Sequence, residues 1–275
     1  MLVQSEVRDT TWDEGVISQF MQTACGTAYD TAGGHTLLLF TTETGTAEGG
    51  MSLAKSLDAM LTWLGVTRPF KVLLWWRDDP RRVEAAEWPT KRNVNGGWTR
   101  AGSSTICVYR AEEWDRVVFH EMIHALEWDW KMPRKPLACW GLSESSNTYP
   151  ALFEAWTELY AEWLWCAWTG TSWNRQRKWQ DDQAIQLLTR HGLRVSRSRE
   201  GSGWDEDTSI FAYYILKAAL APHMEFLLFF QNGESADERQ AVLCGMVTPE
   251  LDRLRRAAAR TTPRSASLRM TLVQH

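Results

Sequence analysis

No apolar run in this chain of 275 residues approaches the roughly 18–20 that a membrane-spanning helix needs, so no membrane span is expected. Charge of one sign is not in excess either. The formal net charge is -4, which gives no general reason to expect nucleic acid as a partner. Cysteine is sparse: Cys25, Cys107, Cys139, Cys166 and Cys244 are scattered, odd in number and free of any CxxC spacing. Such a set reads as reduced thiols in an intracellular protein. The first residues, Met1 to Gly15, are polar and acidic and lack the basic start and apolar stretch of a secretory signal. A cytoplasmic location is the expectation, although a processed precursor would look the same. No internal repeat is present.

What remains is a folded protein of ordinary make-up, 44% apolar and 23% charged, long enough for one large domain or two lobes. Tryptophan is the exception, at seventeen residues. Several (Trp156, Trp163, Trp165, Trp168) fall in helical stretches and read as bulky core packing, with a Trp-lined substrate groove as the alternative.

The first hundred residues alternate between strand-like and helix-like pieces. His35 to Thr41 (HTLLLFT) and Phe70 to Trp76 (FKVLLWW) are short, apolar and bounded by Gly or Pro, as buried strands are. Between them Leu53, Leu57, Met60, Leu61 and Leu64 recur at helical spacing over 51–64, with Ser52 as the cap. Asp78 to Trp98 is charged and then Gly-rich, an excursion or a hairpin. Ser104 to Arg110 (STICVYR) alternates strictly and reads as a third strand. Beyond Ala111 the pattern turns helical, with helices expected at 111–130, 151–168, 174–190, 205–220, 222–231 and 235–259, broken at Pro133, Pro136, Gly170, Gly192 and Pro222. After about Arg260 the chain is Arg-, Thr- and Ser-rich and reads as a flexible tail. The fold class is therefore α+β: a small N-terminal α/β lobe with a short sheet (1–130), a helical lobe (131–260) and a tail (261–275). The chemistry is expected where the lobes meet.

That chemistry begins at His120-Glu121-Met122-Ile123-His124. Each helical residue advances about 100°, so His120 and His124 lie within about 40° of one another, one turn apart. Two imidazoles so placed can grip one Zn²⁺. Glu121 lies off that axis and is set to hold a water on the metal and take its proton as the water attacks a carbonyl. The flanking residues, Arg116 to Phe119 and Ala125 to Leu126, contain no Pro or Gly and follow a strand. A catalytic zinc needs a third protein ligand. The next helix offers Glu154, Glu158 and Glu162 on one stripe, surrounded by Phe153, Trp156, Leu159, Tyr160, Trp163, Leu164 and Trp165. Like charges at that spacing repel, so a stripe in so apolar a helix needs a counter-charge, and a divalent metal supplies one.

HEMIHAL followed thirty residues later by EAWTE resembles the gluzincin branch of the zincin metallopeptidases. The resemblance covers residues 104–166 and implies a zincin-like fold and hydrolysis of a peptide or protein substrate. It implies zinc on His120, His124 and Glu154, Glu121 as general base, and Glu158 as the acid that supports a ligand histidine without touching the metal. Asp129 faces away from this axis, whereas Glu127 is a rival close to the direction of His120; helical geometry alone barely separates Glu154 from Glu158. The metzincin extension after the second histidine is absent. The loop Lys131 to Tyr149 is longer than in the best-known members and is expected to border the site. Zincins commonly lay an extended substrate along an edge strand, and Ser104 to Arg110 is the strand in place for it.

Such a mechanism also needs a donor to the oxyanion. Tyr213 and Tyr214 lead, because they begin an apolar helical run (FAYYILKAAL) after Asp205-Glu206-Asp207; His191 and His223 are further candidates. Arg110, Lys217 and Arg197 could read a substrate carboxylate. Arg253, Arg255, Arg256, Arg260 and Arg264, set against Asp252, make a basic end that reads as a solvated face or tail. The rival readings are a zinc hydrolase of another amide or ester, and a catalytically silent zincin-like module that binds a protein partner.

Overall fold

The computed structural model describes residues 24–42, 47–78, 80–85, 87–129, 138–140, 151–197, 206, 208–229 and 236–272. The chain is α+β with a small mixed sheet. It divides into two compact units, Met1–Pro80 with Asn95–Trp128, and Arg81–Val94 with Asp129–His275. The sequence places one boundary near residue 130 and an excursion or hairpin over 78–98; the structure assigns 81–94 of that stretch to the second unit. No helix among the described residues is long and apolar enough to cross a membrane.

In the first unit, strands β1 (Cys25–Asp30), β2 (Thr36–Thr41), β3 (Lys71–Trp75), β5 (Gly97–Thr99) and β6 (Thr105–Val108) form one sheet in the order β1-β2-β3-β6-β5. β2, β3 and β6 are parallel, and β1 and β5 run antiparallel at the two ends. Helix α1 (Ala47–Trp63) connects β2 to β3 and packs on β1 and β2. The inner strands carry Leu37, Leu39, Val72, Leu73, Leu74, Ile106 and Val108, all buried, as strands covered on both faces must be. Ser52 lies within α1 and not at its start, so it is no cap. The Gly-rich end of the 78–98 stretch does form a hairpin: β5 turns into β6 through Arg100 to Ser103, with Gly102 at φ +74° and Ser103 N–H donating to the Arg100 carbonyl. This corrects the expectation for Ser104 to Arg110. That strand is interior, because β5 covers it, and β5 ends the sheet.

The second unit is mostly helical. Its described elements are β4 (Arg82–Val83), α2 (Lys91–Val94), a 3-10 turn (Ala138–Trp140), α4 (Ala151–Thr169), α5 (Trp173–Arg197), a π-helical segment (Phe211–Leu216), α6 (Lys217–Leu220), α7 (Met224–Phe229), α8 (Ala236–Ala258) and β7 (Ala266–Ser267). The label α3 belongs to Trp114–Ala125 of the first unit. The π segment is the middle of this core, buried against α4, α5 and α8. Trp140 and Trp156 are wholly buried there, and Trp156, Tyr160 and Trp163 stack along α4, so tryptophan here serves packing.

Two expectations are overturned. The stretch after Arg260 is not a loose tail up to Thr271: β7 pairs with β4, Leu268 and Met270 are buried, and Gln176 donates to the Met270 carbonyl at 2.6 Å. The backbone carbonyls of Arg264, Ser267, Arg269 and Met270 accept from Arg190, Gln183, Trp179 and Gln176 of α5. The cysteines are not all reduced either, since Cys139 and Cys244 form a disulfide that ties the 3-10 turn to α8. The expectation of a cytoplasmic location, which leaned on reduced thiols, loses that support. Met1 to Gly15, Asp205, Asp207 and all of the Lys131–Tyr149 loop except 138–140 lie outside the described residues.

One buried histidine makes stability depend on pH. His35 is 1% exposed, and its Nδ1 accepts the Phe70 N–H at 3.2 Å, which requires the neutral ring. Burial lowers its pKa from the ordinary 6.5, opposed by the nearby Asp58 carboxylate. The unfolded chain therefore binds this proton first, so the contribution is whole above about pH 6.5 and is lost as pH falls below that value. Urea midpoints between pH 8 and 5 should fall on the acid side, and His35→Gln should flatten that part of the profile.

Candidate metal centre

Helix α3 follows β6 after a short link in which the Ala111 N–H donates to the Arg77 carbonyl at 3.0 Å. Nearly every side of the helix is covered, from Arg116 through Ile123 and again at Ala125. Glu113 begins it in the left-handed region (φ 59°) without a side-chain cap. At the other end the Glu127 N–H donates to the His124 carbonyl and the Trp128 N–H to the Ile123 carbonyl, with Glu127 at φ 55°. This is a Schellman ending, a position where glycine is usual. The arginine Arg68 meets the same end: its Nη2 donates to the Ala125 carbonyl at 2.6 Å and to the Ser103 carbonyl at 3.0 Å. A fixed cation on the last carbonyls opposes the helix dipole and fastens α3 to the β5–β6 turn.

Within this frame the His120 and His124 Nε2 atoms stand 3.1 Å apart. Two ligands at about 2.0–2.1 Å in a tetrahedral shell lie roughly 3.3–3.4 Å apart, so the spacing suits a shared metal. His120, His124 and Glu154 each offer one ligand atom, these atoms lie within 4.8 Å of one another, and the group could hold a metal ion. Glu121 is 5% exposed. Tyr109, at the end of the β6 strand, is buried, and its phenol is held well above its usual pKa by burial, then by Cys107 and by Glu121. Sequence reasoning singled out neither Tyr109 nor Arg68. Strict alternation in STICVYR marks Tyr109 as a core residue and no more. Glu127 lies past the last helical turn, in its own left-handed conformation, so the helical bearing used to rank it as a rival does not apply.

In the second unit Glu154 is half-buried in the first turn of α4, while Glu158 and Glu162 are almost wholly buried. The counter-charge for these two is Lys217, itself 0% exposed: its Nζ pairs with Glu162 and lies 3.9 Å from Glu158. Gln176 and Gln180 also donate to Glu162. Burial pushes the Glu162 carboxyl up to about 6 against the pull of Lys217, and the same burial with Glu162 nearby raises the Cys166 thiol to about 12. The stripe does have positive charge beside it, but at Glu158 and Glu162 a lysine supplies it, where the spacing alone suggests a metal. Lys217 is thereby removed from the groups that could read a substrate carboxylate. Arg110 is removed as well, being 0% exposed with Nη2 on the Asn95 carbonyl at 2.9 Å. The Arg197 side chain lies outside the described residues.

Tyr214 is corrected too. It is wholly buried, and its hydroxyl donates to the Leu268 carbonyl at 2.8 Å, so it has no proton to offer an oxyanion. Tyr213 is half-buried in the same π segment, His191 rests against Trp88, and His223 is half-buried. Of the basic end, Arg253 pairs with Asp181 and Glu250, and Arg255 donates to the Trp140 carbonyl. These arginines join helices to one another.

Breaking the buried pair should cost about 3–5 kcal/mol, because an unpartnered charge stays inside. Lys217→Met should show that loss in chemical denaturation, and adding Glu162→Gln should recover a large part of it. Equal stability of the single and double variants would mean that the pair is not what holds these helices.

Comparisons of this chain with protein-family models, with curated proteins and with solved structures return no match.

Proposed function

We propose that this chain is a zinc-dependent metallopeptidase of zincin type that hydrolyses a peptide bond, with Glu121 as general base. The observation that carries the reading is that His120, His124 and Glu154 each offer a ligand atom within 4.8 Å of the others, and that the residue after His120 on α3 is the buried Glu121. Two imidazoles and a carboxylate are the donor set of a catalytic zinc with an open fourth position. When bound, the metal would lower the pKa of a water and polarise the substrate carbonyl.

The chain's own residues do the rest in this reading. Glu121 takes the proton from the attacking water and returns it to the leaving amine. Tyr109 and the covered face of α3 keep the surroundings of that carboxylate apolar. The extended substrate would pair with β5, which ends the sheet, and not with the covered β6. Glu158 supports a ligand histidine in this reading, with Lys217 Nζ 3.9 Å from its carboxylate.

Glu121→Gln should fold, retain zinc and lose hydrolysis by at least about 100-fold, because the amide cannot accept a proton. Metal content and cleavage of a broad peptide library, measured on both proteins, check this; unchanged turnover would sink the assignment. A second comparison separates the glutamates. Glu154→Ala should release zinc, whereas Glu158→Ala should weaken binding by about 10–100-fold. Competition with a chromogenic chelator reads both, and zinc retained by Glu154→Ala at wild-type affinity would move the third ligand elsewhere.

A further inference from the structure

Strand β5 ends the sheet and packs on α3, and its first residue, Gly97, pairs with Val108 of β6. A Cβ at Gly97 would stand 2.6 Å from Val117 Cγ1, 2.8 Å from the Cys107 carbonyl oxygen and 2.9 Å from Glu121 Oε1. All three distances are shorter than real Cβ contacts. Gly97 is not among the positive-φ glycines, so the position uses the missing side chain and not glycine's backbone freedom.

The three walls differ in how far they can move. The Cys107 carbonyl belongs to the backbone of the neighbouring strand. Val117 is β-branched on the buried face of α3, where one rotamer is strongly preferred. Glu121 ends in a carboxylate on three rotatable bonds. A side chain at residue 97 would therefore displace Glu121 first, while the closer contacts with Val117 and the Cys107 carbonyl would persist and strain the strand. We propose that Gly97 is a positioning residue for Glu121: the absence of a side chain on the end strand is what keeps the carboxylate lodged beneath that strand, where it can serve a carbonyl bound along it. The catalytic part of this inference rests on the reading of Glu121 as general base; the contact itself does not.

The two parts are tested separately on the full chain. Melting temperatures of wild type, Gly97→Ala, Glu121→Ala and the double variant form a cycle that needs no activity. Gly97→Ala should lower the melting temperature in wild type, and by about 2 °C less or better in the Glu121→Ala background, where the movable wall is gone. Equal losses in both backgrounds would overturn the contact. Should Gly97→Ala not fold, the same cycle is run in Val117→Ala, which removes the nearest wall, with the same criterion.

In the zinc-loaded proteins Gly97→Ala should lower kcat by at least about 10-fold with KM and zinc content unchanged. It should add nothing to the loss already caused by Glu121→Gln. A further loss on top of Glu121→Gln, or a change confined to KM, would overturn positioning through Glu121. A wild-type protein that hydrolyses nothing would refute the general-base reading, while the thermal cycle would still decide the contact.

Discussion

Carboxylates at four-residue spacing inside an apolar helix cannot stay charged unless cations come to them, and much of the second unit is arranged by that demand. Lys217 answers it for Glu158 and Glu162. To be there it must come from a segment buried on all sides, and it sits directly after the π turn, its N–H reaching five residues back to the Ala212 carbonyl. The wider turn carries Tyr214, which bonds the Leu268 carbonyl, and Gln176 joins Glu162 to the Met270 carbonyl. One charge requirement thus connects α4, the π segment, α5 and the stretch that follows β7. Glu154, at the start of the stripe, is the member that with His120 and His124 could hold a metal ion.

What could be read from the sequence follows from the range of the interaction that makes each element. β2, β3 and β6 are continuous or alternating apolar runs, and the helices of the second unit keep their 3.6-residue period, so local pattern finds them. β1 is exposed at every residue but Tyr29, and β5 and β7 are three and two residues long, so none carries a hydrophobic signature. Their existence depends on partners elsewhere in the chain. The disulfide was equally hidden, since five scattered cysteines fix no pairing.

At the site the same division holds. His120 and His124 follow from a spacing of four on one helix, and Glu121 from its place between them. Glu154 needed a resemblance, because its distance from the histidines is not a local quantity. Lys217 was noticed only as a free cation, though a lysine within FAYYILKAAL has no exit to solvent and so implies a buried acid. Tyr214 misled for the related reason that its hydroxyl is satisfied by a residue 54 positions away. Glu113 and Glu127 bound the histidine helix in a conformation that sequence rules reserve for glycine or asparagine, so nothing in their identity announces the helix ends.

The pairing of β7 with β4 has a consequence for biosynthesis. Arg82 of β4 meets Ser267 of β7, so β4 waits during synthesis for a partner that follows it far along the chain. Until then Val83 lacks its partner strand, and Gln176, Gln183 and Tyr214 lack the carbonyls of Met270, Ser267 and Leu268 that they bond in the finished fold. Closure over so long a separation is slow and leaves apolar surface open meanwhile. The first unit has all of its described strands by Val108 and its histidine helix by Ala125, so the growing chain can place Glu121 and the two imidazoles while the second unit still lacks β7.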